Sequence, residues 1–175
     1  MPINQSPSKS RNDSTKLSYY IWEGLLVGFL AGKTIEISAV NGGGSMGAKP
    51  PAETANNPYS TGVKTTGKKH AANHVHGGPI PPGLYTIRTP GMYTPKDEDP
   101  KKVRFMAAQL DRQGNFKIRD GGFLIHGAYG AHPHGSDGCI VPRKKDDFDK
   151  LIVGLSVSKG GTLIVAETMS GDRFA

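Results

Sequence analysis

The sequence contains a single cysteine and no apolar segment long enough to cross a membrane. Cys139 is the only cysteine among 175 residues, so no intrachain disulfide can form. The run from Leu25 to Ala31 is interrupted by Gly28 and is far shorter than the roughly 20 residues that a spanning helix needs. The first basic residues stand in a polar segment with no apolar run typical of a signal peptide. We therefore expect a chain made in the cytoplasm without a signal peptide and without membrane insertion.

The composition favours strands over helices. With 24 Gly and 13 Pro, the chain is divided into short runs rich in Ile, Val, Thr and Tyr, which is typical of strands joined by turns. A chain of this length fits one domain. Residues 1–16 are almost entirely polar, so we expect a flexible lead there and one mainly β domain over residues 17–175.

The positive charge indicates an anionic partner without identifying it. The sequence has 22 Lys and Arg against 15 Asp and Glu, a net charge of +7. A nucleic acid, a lipid surface or a carboxylate-rich polymer such as the cell wall would each suit this charge. The basic clusters lack the interleaved aromatic residues of a single-strand binding groove, so we expect no nucleic-acid partner.

The apolar periodicity predicts a strand meander early in the chain and one helix near its end. Acidic residues begin the predicted helix, and Lys159 and Gly160 follow it, as helix-end preferences require. The predicted strands are Leu17 to Trp22, Leu25 to Leu30, Thr34 to Val40, Leu84 to Arg88, Val103 to Leu110, Phe116 to Ile118, Phe123 to Ile125 and Thr162 to Ala166, and the predicted amphipathic helix is Asp146 to Val157.

The segment from Phe123 to Pro142 has the composition of an active site. Its apolar start delivers His126 like the end of a buried strand, and small turn-forming residues follow as far as Gly138. Gly138 permits a tight turn that exposes the Cys139 sulfur and presents amide hydrogens to an oxyanion. Cys139 and His126 are therefore the candidate nucleophile and general base.

Two other functions stay open at this point. His132 and His134, with His126 and Cys139, would supply zinc ligands for a metal-dependent amidase, although their spacing matches no recognised zinc motif. The alternative placement of His132 and His134 is on a loop that covers the cleft. A non-catalytic, basic cell-wall-binding module is the other possibility. For the cysteine enzyme we expect no cofactor and no metal.

The motifs around this segment resemble those of a known family. His126-Gly127 followed by Ser136-Asp137-Gly138-Cys139-Ile140 resembles the HG…SxGC signature of YkuD-like L,D-transpeptidase domains. The segment from Gly78 to Ile87 is similar to the strand entry GxIPxGxYxI of the same group. More narrowly, the spacing is similar to that of the L,D-transpeptidase-like toxins, or effectors, of type VI secretion systems. The sequence departs from many cross-linking members, which have His at the position of Asp137.

The resemblance implies a β-sandwich with one helix after the nucleophile and acyl transfer through a thioester. Its implied substrate is the peptidoglycan stem tetrapeptide, cleaved before the terminal D-alanine by L,D-carboxypeptidase or exchanged by L,D-transpeptidase activity. It also implies secretion, action in the periplasm of a target cell, and an immunity protein and secretion machinery as partners. The implied roles are Cys139 as nucleophile, His126 as base, Gly127 as its carbonyl partner, the Gly138 and Cys139 amides as oxyanion donors, and Ser136, Asp137, His134, His132 and Arg143 as substrate-binding residues.

Overall fold

In the part of the chain that the structure describes, the fold is a single sheet with one helix. The computed structural model describes residues 14–43, 55–61, 63, 77–94, 104–114, 122–127 and 138–169. These residues contain β1 (Thr15–Tyr20), β2 (Leu25–Leu30), β3 (Lys33–Asn41), β4 (Gly83–Ile87), β5 (Gly91–Tyr93), β6 (Phe105–Arg112), β7 (Phe123–His126), β8 (Ile140–Pro142), α1 (Lys145–Val157) and β9 (Gly161–Ala166), with a short 3-10 turn at Pro58–Ser60. The predicted fold class, mainly β with one helix after Cys139, is confirmed.

The predicted meander at the beginning of the chain is also confirmed. Strands β1, β2 and β3 pair antiparallel in chain order. The β2–β3 connection is Ala31-Gly32, whose φ angles are 47° and 80°. A two-residue hairpin loop with both φ angles positive matches the right-handed twist of its strands. Along β1, Leu17 and Tyr19 are buried while Lys16 is exposed, as the alternating sequence pattern predicts.

The sheet closes on itself around the core. Its strand order is β4-β9-β1-β2-β3-β8-β7-β6-β5, and β4 also pairs with β6. The circuit therefore includes every strand except β5, which extends along β6 beyond β4. Two of the pairings are parallel, β1–β9 and β7–β8, and the others are antiparallel. Closure places two curved layers face to face, as in the sandwich that the family resemblance implies.

Two buried tyrosines in the core keep their hydroxyl groups hydrogen-bonded. Tyr19 donates to Oδ1 of Asn56 at 2.9 Å, and Tyr85 donates to the carbonyl of Pro81 at 2.7 Å. Burial raises the pKa of Tyr19, and it raises the pKa of Tyr85 to about 12. Both hydroxyl groups therefore remain neutral donors and tie loops to the core.

The helix packs against the core and lies close to β2. Leu151 and Leu155 of α1 are buried in the core cluster. A Cβ atom built on Gly154 would lie 2.4 Å from Leu30, so only glycine allows the observed approach of helix and β2. The α1 bounds agree with the predicted helix, which begins one residue later at Asp146.

Some predicted strand bounds differ from the observed ones. Strand β1 begins at Thr15 rather than at Leu17, because Thr15 pairs with Gly161 of β9. A pairing between the two ends of the chain leaves no local signal in the sequence. The predicted strand Phe116 to Ile118 lies outside the described residues, as do residues 1–13 of the predicted lead.

Candidate active site

Two adjacent parallel strands bring His126 and Cys139 to one face of the sheet. Ile125 of β7 pairs with Ile140 of β8, and both side chains are 0 % exposed in the core. His126 follows the first of this pair and Cys139 precedes the second, so alternation turns both away from the core. The two residues are diagonal neighbours, for which the Cα atoms stand roughly 8 Å apart at ordinary strand spacing and rise. The register therefore places both residues on one face of the sheet, two positions apart along the strands.

His126 is held in one orientation by the next peptide group. Its Nδ1 atom lies 2.7 Å from the carbonyl oxygen of Gly127, which is the contact that the family resemblance implies. Because a carbonyl only accepts, Nδ1 carries the proton and Nε2 remains a hydrogen-bond acceptor. Burial lowers the pKa of His126, and the Gly127 hydrogen bond opposes this shift. The ring is therefore neutral near pH 7 and suited to accept a proton.

Aromatic residues explain part of the burial of His126. The Phe105 ring lies 5.6 Å from the His126 ring, centroid to centroid, and Tyr93 lies 5.3 Å from Phe105. Ala107 is the residue paired directly with His126, and its small side chain leaves room for the ring. Neither Tyr93 nor Phe105 was predicted from the sequence to lie at the site. The feature of the sequence that marks them is their position, one at each end of the charged segment 94–104.

Cys139 lies at the start of β8 in a turn that requires glycine. Gly138 has a φ angle of +104°, a conformation that other residues rarely adopt. The Cys139 side chain is partly exposed, and its sulfur lies 3.9 Å from the Gly122 carbonyl oxygen. Partial exposure suits a reactive thiol rather than an inert core cysteine.

Asn41 braces the turn before Cys139 from the protein interior. Its side chain is fully buried; Nδ2 donates to the Gly138 carbonyl at 3.1 Å, and Oδ1 accepts from the amide of Ile80 at 2.5 Å. The peptide group is planar, so fixing the Gly138 carbonyl also fixes the direction of the Cys139 N–H. Asn41 was not among the site residues predicted from the sequence. A polar residue that ends an apolar strand is the signal that was available.

Gly127 gives α1 a close contact with the end of β7. A Cβ atom built on Gly127 would lie 3.1 Å from Cδ1 and 3.2 Å from Cε1 of Phe148. The Phe148 ring therefore packs on the peptide whose carbonyl orients His126. Packing against Phe148 explains glycine at this position, whereas any residue would supply the carbonyl.

Arg143 lies at the opposite end of β8 from Cys139. Four residues of extended chain separate them, about 13 Å at the usual rise per residue. The backbone amide of Arg143 donates to the carbonyl of Ser38, and its side chain is exposed. The positive charge of Arg143 acts against the burial that raises the pKa of Tyr19. This arrangement separates Arg143 from the nucleophile, so the structure does not bring this predicted residue to the dyad.

Other predicted site residues lie outside the described part of the chain: His132, His134, Ser136 and Asp137. Within the described part, no group of three or more His, Cys, Asp or Glu residues is arranged to hold a metal ion. No helix in the described ranges is long and apolar enough to cross a membrane. The zinc alternative, which needs His132 and His134, stays a prediction.

A groove opens on the same face as the candidate dyad. It has a volume of about 130 Å³ and is lined by Arg88, Thr89, Gly91, Met92, Tyr93, Ala107, Gln109 and Leu124. Leu124 immediately precedes Ile125, so the parallel register places it beside Cys139. Ala107 pairs with His126. The groove floor therefore borders both candidate catalytic residues.

Comparisons with known proteins gave one structural similarity. No family model matches the sequence, and no curated protein matches it. Among solved structures, the chain is similar to the crystal structure of the L,D-transpeptidase (residues 123–326) from Xylanimonas cellulosilytica DSM 15894, with 14 % sequence identity and a TM-score of 0.49. The alignment covers 93 % of this chain and 65 % of that one.

Proposed function

We propose that the protein is a cysteine enzyme that cleaves or exchanges the terminal D-alanine of peptidoglycan stem tetrapeptides. The observation that carries the proposal is the β7–β8 register, which sets His126 and Cys139 on one face beside a groove. The motif resemblance around His126-Gly127 and Ser136 to Ile140 supplies the substrate class. The net charge of +7 suits a carboxylate-rich polymer.

The chemistry begins with proton transfer from Cys139 to Nε2 of His126. The thiolate attacks the carbonyl carbon that precedes D-alanine, and the electron pair of the C=O bond moves to the oxygen. The amide of Cys139, oriented through Gly138, donates to that oxyanion. Collapse breaks the C–N bond, and the imidazolium returns its proton to the departing amine.

The resulting thioester accepts either of two nucleophiles. Water yields a shortened peptide, which is L,D-carboxypeptidase activity, and an amine yields exchange, which is L,D-transpeptidase activity. In both cases neutral His126 removes a proton from the nucleophile and returns it to the sulfur when the thioester breaks. The proposal includes both products, whose ratio depends on access of water to the acyl-enzyme.

Incubation with a disaccharide tetrapeptide tests this function. We expect release of D-alanine, exchange with an added labelled D-amino acid, and a mass increase on Cys139 that hydroxylamine removes. Cys139→Ala should abolish all three, while a chelator should have no effect. Activity in Cys139→Ala would reject the cysteine mechanism, and loss of activity with a chelator would support the zinc amidase. A salt-sensitive wall interaction without product would instead support a binding module.

We also propose that this activity serves as an interbacterial toxin. The support is the similarity of motif spacing to effectors of type VI secretion systems. Export to the periplasm of a test bacterium should inhibit growth, whereas cytoplasmic expression should not. Equal growth with the parent and Cys139→Ala forms in the periplasm would reject the toxin role. A co-encoded protein that restores growth and binds the enzyme would identify the proposed immunity partner.

A further inference from the structure

Two large aromatic side chains, Trp22 and Tyr59, lie together on the surface and outside the groove. Trp22 is 51 % exposed and Tyr59 is 73 % exposed. Their ring centroids are 6.4 Å apart, and the ring planes are inclined at 82°. In a T-shaped pair the edge of one ring meets a face of the other, so the first ring has neither of its own faces covered by its partner. This aromatic pair therefore offers a broad ring face with a second ring standing beside it.

The turn that carries Trp22 is held by the segment after β9. The amide of Trp22 donates to the carbonyl of Glu167 at 2.9 Å. The carboxylate of the next residue, Glu23, accepts from the hydroxyl of Thr168 at 2.7 Å and from the amide of Met169 at 3.3 Å. Trp22 therefore stands on an ordered backbone.

The segment that carries Tyr59 is held by β3. Tyr59 lies in the 3-10 turn Pro58–Ser60, and its amide donates to Oδ1 of Asn57 at 3.0 Å. The amide of Asn56 donates to the carbonyl of Asn41 at 2.8 Å. Both rings are thus fixed by contacts within the protein, and such preorganisation lowers the entropy cost of binding a ligand.

The aromatic pair lies near the same end of the sheet as the nucleophile. The carbonyl of Gly24, in the turn between β1 and β2, accepts from the amide of Ala39 at 2.7 Å. Two residues farther along β3, Asn41 pairs with Ile140, which follows Cys139. Two to three strand spacings of about 4.8 Å therefore separate the turn from Cys139, roughly 10–15 Å in all.

This separation matches the length of a stem peptide. Three extended residues span about 10 Å. A stem peptide is joined through its first residue to a sugar of the glycan strand. When the carbonyl of the third residue is at Cys139, that sugar is therefore about as far from the sulfur as the aromatic pair is.

The chemistry of the aromatic pair suits an uncharged sugar. One face of a pyranose ring presents C–H groups, whose slightly positive hydrogens are attracted to the negative face of an aromatic ring. Residues 17–24 and 55–61 contain no Lys or Arg, although the net charge of the chain is +7. An anionic ligand would therefore find no cation in the segments that carry the rings, and would meet Glu23 instead.

We propose that Trp22 and Tyr59 form a binding site for an N-acetylhexosamine of the glycan strand, which holds the attached stem peptide in reach of Cys139. The inference rests on the proposed function and adds the saccharide part of the substrate to it. The two rings bind the substrate at a distance from the reacting atoms.

The fluorescence of Trp22 tests the saccharide site without turnover, because Trp22 is the only tryptophan in the chain. A tetrasaccharide of N-acetylglucosamine, free of peptide, is titrated into Cys139→Ala, and we expect a saturable change in the emission. Adding Tyr59→Ala should weaken binding roughly five-fold through loss of one aromatic contact, whereas Tyr59→Phe keeps the ring and should bind as the parent does. Phe29→Ala, which removes a 57 % exposed ring from β2, is the matched control and should leave binding unchanged.

Kinetics with two substrates test the link to the reaction. Thioester formation is followed by mass spectrometry with a disaccharide tetrapeptide and with the free tetrapeptide. Tyr59→Ala should raise KM for the disaccharide tetrapeptide roughly five-fold and leave kcat unchanged, as loss of uniform binding predicts. Its KM for the free tetrapeptide should equal that of the parent.

The possible results separate the saccharide site from the reaction. Absence of a fluorescence response, or an equal response in Tyr59→Ala, overturns the site. A response without thioester retains the site and rejects the reaction, whereas thioester formation without a response rejects the site alone. Absence of both rejects both. Self-association that Tyr59→Ala abolishes, without a response to the saccharide, would identify the aromatic pair as a contact between copies of the chain and overturn the proposal.

Discussion

Replacing Asn41 with alanine should destabilise the protein strongly, because two buried hydrogen bonds are lost together. The side chain accepts from Ile80 at 2.5 Å and donates to the Gly138 carbonyl at 3.1 Å, in a fully buried position. Each buried group left without its partner costs about 1–3 kcal/mol, so we expect a loss of about 2–6 kcal/mol. This loss is a large part of the free energy of unfolding of a typical domain, which is about 5–15 kcal/mol.

Urea unfolding at equilibrium measures this loss. With an m-value of about 2 kcal/mol/M, the midpoint should fall by roughly 1–3 M. Asn57→Ala is the matched control, since its side chain accepts from the amide of Tyr59 at 3.0 Å at the surface. The control should cost about 1 kcal/mol or less. Alkylation of Cys139 should also slow in folded Asn41→Ala, because the turn that presents the thiol loses its brace.

Two outcomes would refute this reasoning about Asn41. Equal midpoints for Asn41→Ala and Asn57→Ala would show that the buried hydrogen bonds contribute no more than an exposed one. A stable Asn41→Ala protein with unchanged alkylation of Cys139 and unchanged thioester formation would show that the Gly138 carbonyl needs no brace.

Three further predictions concern residues around the dyad. Gly138→Ala should cost about 1–2 kcal/mol and reduce thioester formation, because φ is +104° there, whereas Gly91→Ala, which meets no atom within 4 Å, should change the melting temperature little. Because the pKa of His126 is lowered in the folded protein, the unfolded chain takes up a proton at a higher pH than the folded protein does. The contribution of His126 to stability should therefore be complete above its usual pKa of 6.5 and should fall as the pH drops below that value. His126→Gln should flatten this pH dependence of the unfolding free energy, and an unchanged slope would contradict the prediction. Gly127→Ala should lower the free energy of unfolding by about 1 kcal/mol, because the added methyl group would press on the Phe148 ring. In a double-mutant cycle, Phe148→Leu should remove much of this cost, and additive effects of the two substitutions would show that the residues are not in contact.

Local patterns in the sequence were sufficient to predict most elements. The alternation in Thr34 to Val40 predicts β3, and the spacing of Leu151 and Leu155 predicts α1, because burial of one face depends on residues close in sequence. His126 at the end of an apolar run and Cys139 after a glycine were candidates for the same reason. The residue types alone indicate a thiol nucleophile and an imidazole base.

Long-range pairings, by contrast, had no local signal. The start of β1 at Thr15 depends on β9, and closure of the sheet depends on β4 meeting β6. The resemblance implies a substrate-binding role for Arg143, which lies at the far end of β8 from Cys139, and that role stays a prediction.

The sequence by itself determined the fold class and the identity of the candidate dyad, since strand alternation and turn glycines are encoded within a few residues. Only the tertiary structure decided how the site is supported and what surrounds it. The contact of Asn41 with Gly138 and the groove of Arg88 beside Leu124 join segments far apart in sequence. Such contacts arise when the sheet closes, because closure brings the ends of separate strands to one face.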